Sequence, residues 1–258
     1  MARLRVYDID DQDRIYEWIF KNFPDVFYIL AKSRPGEDKR LGAYRGMYLG
    51  GDEALTSTNW IETNVRTGHG PLGALYPPKT WTKPNPHGAL KEGDAPSYLF
   101  LLLTGLNDPQ HPDWGSWGGR FVPEKAGLWR DAKDKVGDVT DARAAVWRWR
   151  PAFQNEFAAR MDWCVKPQGK ANHPPVPVLN GDASRKILEL DVKPGDVVKL
   201  SGAGSTDPES QPLSLRWFVY PEAGTYGRDV RIEASAAEQA SLRVPEDALG
   251  KTIHVVLE

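Results

Sequence analysis

Two tryptophans, Trp114 and Trp117, stand in a loop rich in Gly, Asp and Ser, with Arg120 close behind them. An indole face matches the apolar face of a pyranose ring and its N–H gives one polar handle. This spacing can therefore form a sugar platform with Arg120 as a further substrate contact. The same loop can instead fold its rings inward to staple a long irregular connection. Asp11 and Asp13 follow a strand-like run, in the position where ligands of parallel α/β sheets gather beyond the carboxyl ends of strands. Asp11 is a candidate catalytic carboxylate and Asp13 a candidate sugar-hydroxyl contact. The plainer reading is a helix cap with favourable first-turn charge. His69, in Gly68-His-Gly-Pro-Leu-Gly73, sits on a loop where an imidazole can act as acid or base near neutral pH. His111, beside Asn107 and Asp108, is a further site candidate. Asp8, Asp10, Asp11 and Asp13 imitate an aspartate-rich calcium motif, but Ile9 and Gln12 interrupt it. Cys164 has no neighbourhood that would activate a thiol and reads as buried or inert.

The elements that must carry these residues follow from periodicity. Leu4 to Ile9 reads as a short strand, Ile15, Trp18, Ile19 and Phe23 recur at helical spacing, Pro24 stops that helix, and Phe27 to Leu30 reads as a second strand. Strand, helix and strand in that order make the building block of a parallel sheet. Asn59 with Glu62 resembles a capping box ahead of a helix through Val65. Ser97 is expected to cap a buried segment over Tyr98 to Leu103, which periodicity leaves open between helix and strand and which is read here as helix, and Asp141 to open a helical stretch in which Val146, Trp149, Phe153, Phe157 and Met161 can share a face. Pro151 marks a kink or a second helix start there, and Trp147 and Trp149 point to different faces, as core residues.

Lys166 to Pro177 reads as a linker, because its prolines favour extended backbone. The boundary falls near Ala171, giving an α/β domain over 1–170 and a second domain over 171–258. The second domain changes period: strand-like runs at 197–200, 213–220, 240–244 and 252–257 alternate with turns, which points to an immunoglobulin-like β-sandwich. Trp217 is expected in its core, His173 and His254 in structural roles. Asp207-Pro-Glu-Ser reads as a turn, since two carboxylates fall short of a calcium shell of about 6–8 oxygens. Of the ten tryptophans only Trp217 lies beyond residue 165, so the two domains are differently built.

Composition removes several classes of partner. In 258 residues, 33 basic side chains face 35 acidic ones, without the excess positive charge that a nucleic acid or an anionic membrane attracts. No run approaches the ~20 apolar residues that span a bilayer. The start carries no apolar signal region. One cysteine excludes a disulfide framework and a Cys-based zinc site.

Longer passages carry a resemblance. Gly93-Asp-Ala-Pro-Ser-Tyr-Leu-Phe, the Gly105 to Arg120 loop, Trp147 to Trp163 and His69 to Gly73 together resemble the family of cellulose-binding proteins with a nucleoside-hydrolase-like domain. Leu200 to Trp217 resembles the turn signature of polycystic-kidney-disease-type immunoglobulin modules, similar to that family's C-terminal domain. The resemblance implies a carbohydrate-associated protein whose parent is secreted or periplasmic, with a carbohydrate or nucleoside-like small molecule as partner. The alternative it carries is calcium-dependent hydrolysis of N-glycosidic or glycosidic bonds by the complete parent. Asp94, before Ala95-Pro96, resembles a catalytic, calcium-ligating aspartate of nucleoside hydrolases, while Gly93 stands where those enzymes carry a histidine acid; Asp94 can equally cap a helix. The opening residues resemble the middle of the family's domain, and the last strand lacks an edge partner. The expectation is a fragment that is trimmed at both ends and inactive alone, without the enzymes' N-terminal aspartate cluster.

Overall fold

A computed structural model of the chain describes residues 4–11, 13–32, 36, 46–78 and 92–258. The chain divides into two compact units, Met1–Leu102 with Pro109–Ala171, and Leu103–Asp108 with Asn172–Glu258. Among the described residues no helix is long and apolar enough to cross a membrane.

The first unit runs β1 (Arg5–Ile9), α1 (Tyr16–Asn22), β2 (Phe27–Ala31), α2 (Thr58–Ile61), α3 (Gly70–Leu75), α4 (Ala95–Leu99), β3 (Phe121–Lys125), β4 (Leu128–Asp131), β5 (Asp134–Val136), β6 (Val139–Asp141), α5 (Ala144–Trp147) and α6 (Arg150–Trp163). Its sheet has the order β1-β2-β4-β3. β1, β2 and β4 are parallel, with Val6 opposite Tyr28 and Tyr28 opposite Leu128, and β3 returns antiparallel to β4. A parallel sheet must be covered on both faces. On one face Tyr16, Ile19, Phe20 and Phe23 of the α1 region pack on Val26, Tyr28, Leu30 and Leu128. On the other, Phe100 and Phe121 close over Ile29, flanked by Tyr7, Phe27 and Trp129. The β3–β4 turn needs Gly127, which has φ +74° and where a Cβ would lie 2.6 Å from the Val26 carbonyl oxygen.

The strand, helix and strand at the start form as expected. Other expectations shift. α2 is capped by Ser57, whose Oγ accepts the Trp60 N–H at 3.2 Å, rather than by Asn59. α4 starts at Ala95 and ends at Leu99, so it covers little of the expected 98–103. Leu99 and Phe100 are buried there, but Leu101 and Leu103 are exposed. Asp141 ends β6 and accepts the Arg143 N–H at 2.8 Å. Pro151 lies in the first turn of a second helix, with Trp147, Trp149 and Phe153 buried. Cys164 is exposed rather than buried.

The second unit is β-rich. β7 (Val197–Ser201), β8 (Trp217–Val219), β9 (Ile232–Glu233), β10 (Gln239–Arg243) and β11 (Val255–Leu257) form one sheet of order β7-β10-β9 and a pair β11-β8. Side chains from both sets share a core of Leu200, Trp217, Tyr226, Ala240, Leu242, Val244 and Ala248, against which Val255 and Leu257 pack. Trp217 is 2% exposed and its indole N–H donates to the Ala237 carbonyl at 2.9 Å. The proline-rich stretch is not slack: Val176 and Thr206 exchange backbone hydrogen bonds at 2.8 and 3.1 Å, and Asn180 N–H donates to Ser201 O at 2.8 Å. The imidazole and N–H of His173 both bond Glu209, at 2.7 and 3.0 Å. Asp207 Oδ1 builds the expected turn by accepting from the N–H groups of Glu209 and Gln211.

Candidate functional site

The carboxyl ends of β1 and β2 meet in an acidic turn. Asp10, Asp11 and Arg14 all adopt left-handed backbone, with φ of 68°, 45° and 54°. Each such non-glycine residue costs about 1–3 kcal/mol and persists only where its surroundings hold it. The holding bonds are plain. Asp10 N–H donates to Ala31 O and Arg14 N–H to Asp11 O, both at 2.9 Å. Asp11 Oδ1 accepts the Tyr16 N–H at 3.1 Å and its Oδ2 accepts from Lys32 Nζ at 2.7 Å. Asp8 accepts the Asp11 N–H at 3.0 Å on one oxygen and the Tyr28 hydroxyl on the other. Burial, reinforced by Asp8, pushes the Tyr28 hydroxyl far above its ordinary range, so it stays a donor. The bond to Asp11 raises the Lys32 ammonium despite its partial burial. Asp11 is only 4% exposed. With an ammonium on one oxygen and an N–H on the other, it is a counter-ion to Lys32 and an anchor for the start of α1. Asp13 is exposed.

The tryptophan loop is built separately. Residues Pro112–Trp114 form a helical turn in which Trp114 N–H donates to His111 O at 3.0 Å. The Trp114 and His111 rings are parallel, 3.9 Å between centroids and 8° between planes. Beyond them Ser116, fully buried, donates through Oγ to Gly119 O and accepts the Gly118 N–H, each at 3.0 Å. Gly118 lies against α4 so closely that a Cβ would stand 2.1 Å from the Pro96 carbonyl oxygen. The Tyr7 hydroxyl donates to Gly118 O at 2.9 Å. The loop is therefore pinned to the scaffold while Trp114 and Trp117 stay half-buried. Arg120, which follows the loop, turns to a buried carboxylate. Its Nε donates to Asp134 Oδ1 and Arg148 Nη1 to Asp134 Oδ2, both at 2.8 Å, with Asp134 at 0% exposure. A buried carboxylate between two guanidiniums holds β5 to the segment before β3 and to the end of α5.

His69 also lies elsewhere. Buried beside α3, its Nε2 meets Asp162 Oδ1 on α6 at 3.2 Å, and Asp162 Oδ2 accepts from Lys166 at 2.7 Å. The Lys166 ammonium, then the His69 imidazole, hold Asp162 below its ordinary value against some burial. The imidazole's partner is thus Asp162, not Asp11 or Asp94. Asp94 is exposed at the start of α4; its carboxylate makes no cap bond, and its carbonyl accepts the Ser97 hydroxyl at 2.8 Å instead. Two residues before it stands Glu92, which no sequence pattern marks. Burial raises its carboxyl, Asp94 adds to that, and a hydrogen bond from Tyr76 opposes it.

Residues 1–121 match the family described as cellulose-binding Sde182, nucleoside hydrolase-like domain, and residues 197–258 match the C-terminal domain of the cellulose-binding protein Sde0182. The chain belongs to this cellulose-binding family. Among solved structures it is similar to a nucleoside hydrolase-related hypothetical protein from Saccharophagus degradans that is associated with carbohydrate metabolism, at 32% identity and a TM-score of 0.74. The match covers 99% of this chain and 58% of that one, so the chain spans little more than half the length of its structural relative. No curated protein matches it.

The calcium that the nucleoside hydrolase likeness implies can be tested against this member of the cellulose-binding family. Among the described residues, no group of three His, Cys, Asp or Glu side chains is placed to hold a metal ion. Asp94 is exposed, and the buried carboxylate of Asp11 is already neutralised by Lys32. The described residues do not fit a calcium shell, which takes about 6–8 oxygens, and no chemical step is drawn through one.

Proposed function

We propose that this chain is a polysaccharide-binding part of its parent protein, with the Trp114 and Trp117 loop as the sugar contact. The observation that carries the reading is a pair of half-buried indoles on a loop pinned by Ser116 and Gly118. A platform of this kind loses little entropy on binding, because its backbone is already fixed. The second unit would then be an immunoglobulin-like sandwich, a reading supported by its two strand sets about one core and by the Trp217 position. A polysaccharide ligand implies a parent that works outside the cytoplasm. The Asp8 carboxylate is taken up by the Asp11 N–H, and that of Asp11 by the Tyr16 N–H and Lys32, which favours binding over turnover in this chain.

Affinity electrophoresis through gels containing hydroxyethylcellulose tests the proposal. The chain should be retarded, and Trp114→Ala and Trp117→Ala should each migrate closer to the unretarded front. Equal mobility with and without polysaccharide rejects it. Titration with nucleosides in parallel distinguishes the nucleoside-like ligand, whose sugar offers similar hydroxyls.

A further inference from the structure

Trp114 does not present a bare face. The His111 imidazole lies flat upon it at 3.9 Å and 8°, which leaves no space for a saturated ring between the two. Sugar and imidazole therefore compete for that side of the indole. The two members of the stack are held unequally. Behind Trp114 the chain passes through Gly115, at φ +90°, into the buried Ser116 clasp and the Gly118 contact with Pro96. His111 is exposed, and its carbonyl accepts the Trp114 N–H. Rotation about the His111 side-chain torsions lifts the ring into water without breaking that tie.

We infer that His111 is a resident cover over the Trp114 face, displaced when a sugar ring binds. The inference rests on the polysaccharide reading above. It also names an occupant for the free state: the imidazole shields apolar indole surface from water until a pyranose replaces it.

The test uses the full chain, its His111→Ala and Trp114→Ala variants, hydroxyethylcellulose in affinity gels and cellohexaose in solution. Removing the cover should tighten binding by about two- to tenfold, the scale set by one aromatic stack. In the NMR spectrum of the unmodified chain, His111 ring protons should lie upfield under the indole ring current and move downfield as cellohexaose saturates. Binding that His111→Ala weakens or leaves unchanged overturns the cover, as do His111 signals that stay upfield at saturation; the imidazole would then be a second wall of the site or a bystander. Trp114→Ala binding as tightly as the unmodified chain also overturns it and removes Trp114 from the sugar contact, while retardation of the unmodified chain keeps polysaccharide binding itself standing. Failure of every protein to bind overturns that reading and the cover with it.

Discussion

Asp134 shows how a residue's role depends on partners far along the chain. Its carboxylate is fully buried between Arg120 and Arg148, so Asp134→Ala would leave two guanidiniums short of their counter-charge. We expect a loss of about 3–5 kcal/mol in urea unfolding, the range for breaking a buried pair from one side. The sequence marked Arg120 as a charge near two indoles, but not its partner, because Asp134 opens a hairpin whose short strands have little apolar alternation. Asp11 was legible in part: its place after β1 was readable, whereas the Lys32 ammonium that engages it comes from the end of the next strand. Acid should expose two other carboxylates. Burial pushes Asp141 up, but the Arg143 guanidinium and N–H pull it further down; Lys166 and His69 lower Asp162. Groups with folded values below their unfolded 3.8 stabilise the fold fully above that pH and cease to do so as pH falls through the folded value. Stability measured from pH 5 downward should therefore fall below about pH 4, less steeply in Asp141→Asn.

At the scale of elements, the legible parts are those whose faces alternate cleanly. β1, α1 and β2 read correctly because α1 lays Ile19 and Phe23 on the sheet with helical spacing. β3 and β4 escaped, since Phe121 is the only buried residue of β3 and Pro123 adjoins a register shift in the pairing. The cap of α2 was misplaced by two residues because Ser57 and Asn59 are both good caps, and only backbone conformation chooses between them. Ser57→Ala should cost about 1 kcal/mol, read as a shift in the denaturant midpoint. Gly118→Ala should do more. The obstructing atoms are backbone of α4, which cannot swing aside, so we expect the tryptophan loop to detach and hydroxyethylcellulose retardation to vanish even where circular dichroism stays near the parent spectrum.

Over the whole molecule, the proline-rich composition places a boundary near Ala171, and contacts divide the chain between Ala171 and Asn172. The assignment of Leu103–Asp108 to the second unit was not visible, because a segment so far upstream carries no periodic mark of the unit it joins. Trp217→Ala should cost about 3–5 kcal/mol in the second unit's core, and amide exchange should rise across β7, β8 and β10 while β2 keeps its protection.

That same indole is a built-in reporter. Since Trp217 is the one tryptophan in 172–258, replacing the other nine with phenylalanine would leave a single emitter, sealed from water and bonded through its N–H to Ala237. Its emission would be blue-shifted and hard to quench with iodide, and the red shift on adding denaturant would trace the melting of the β-rich unit alone.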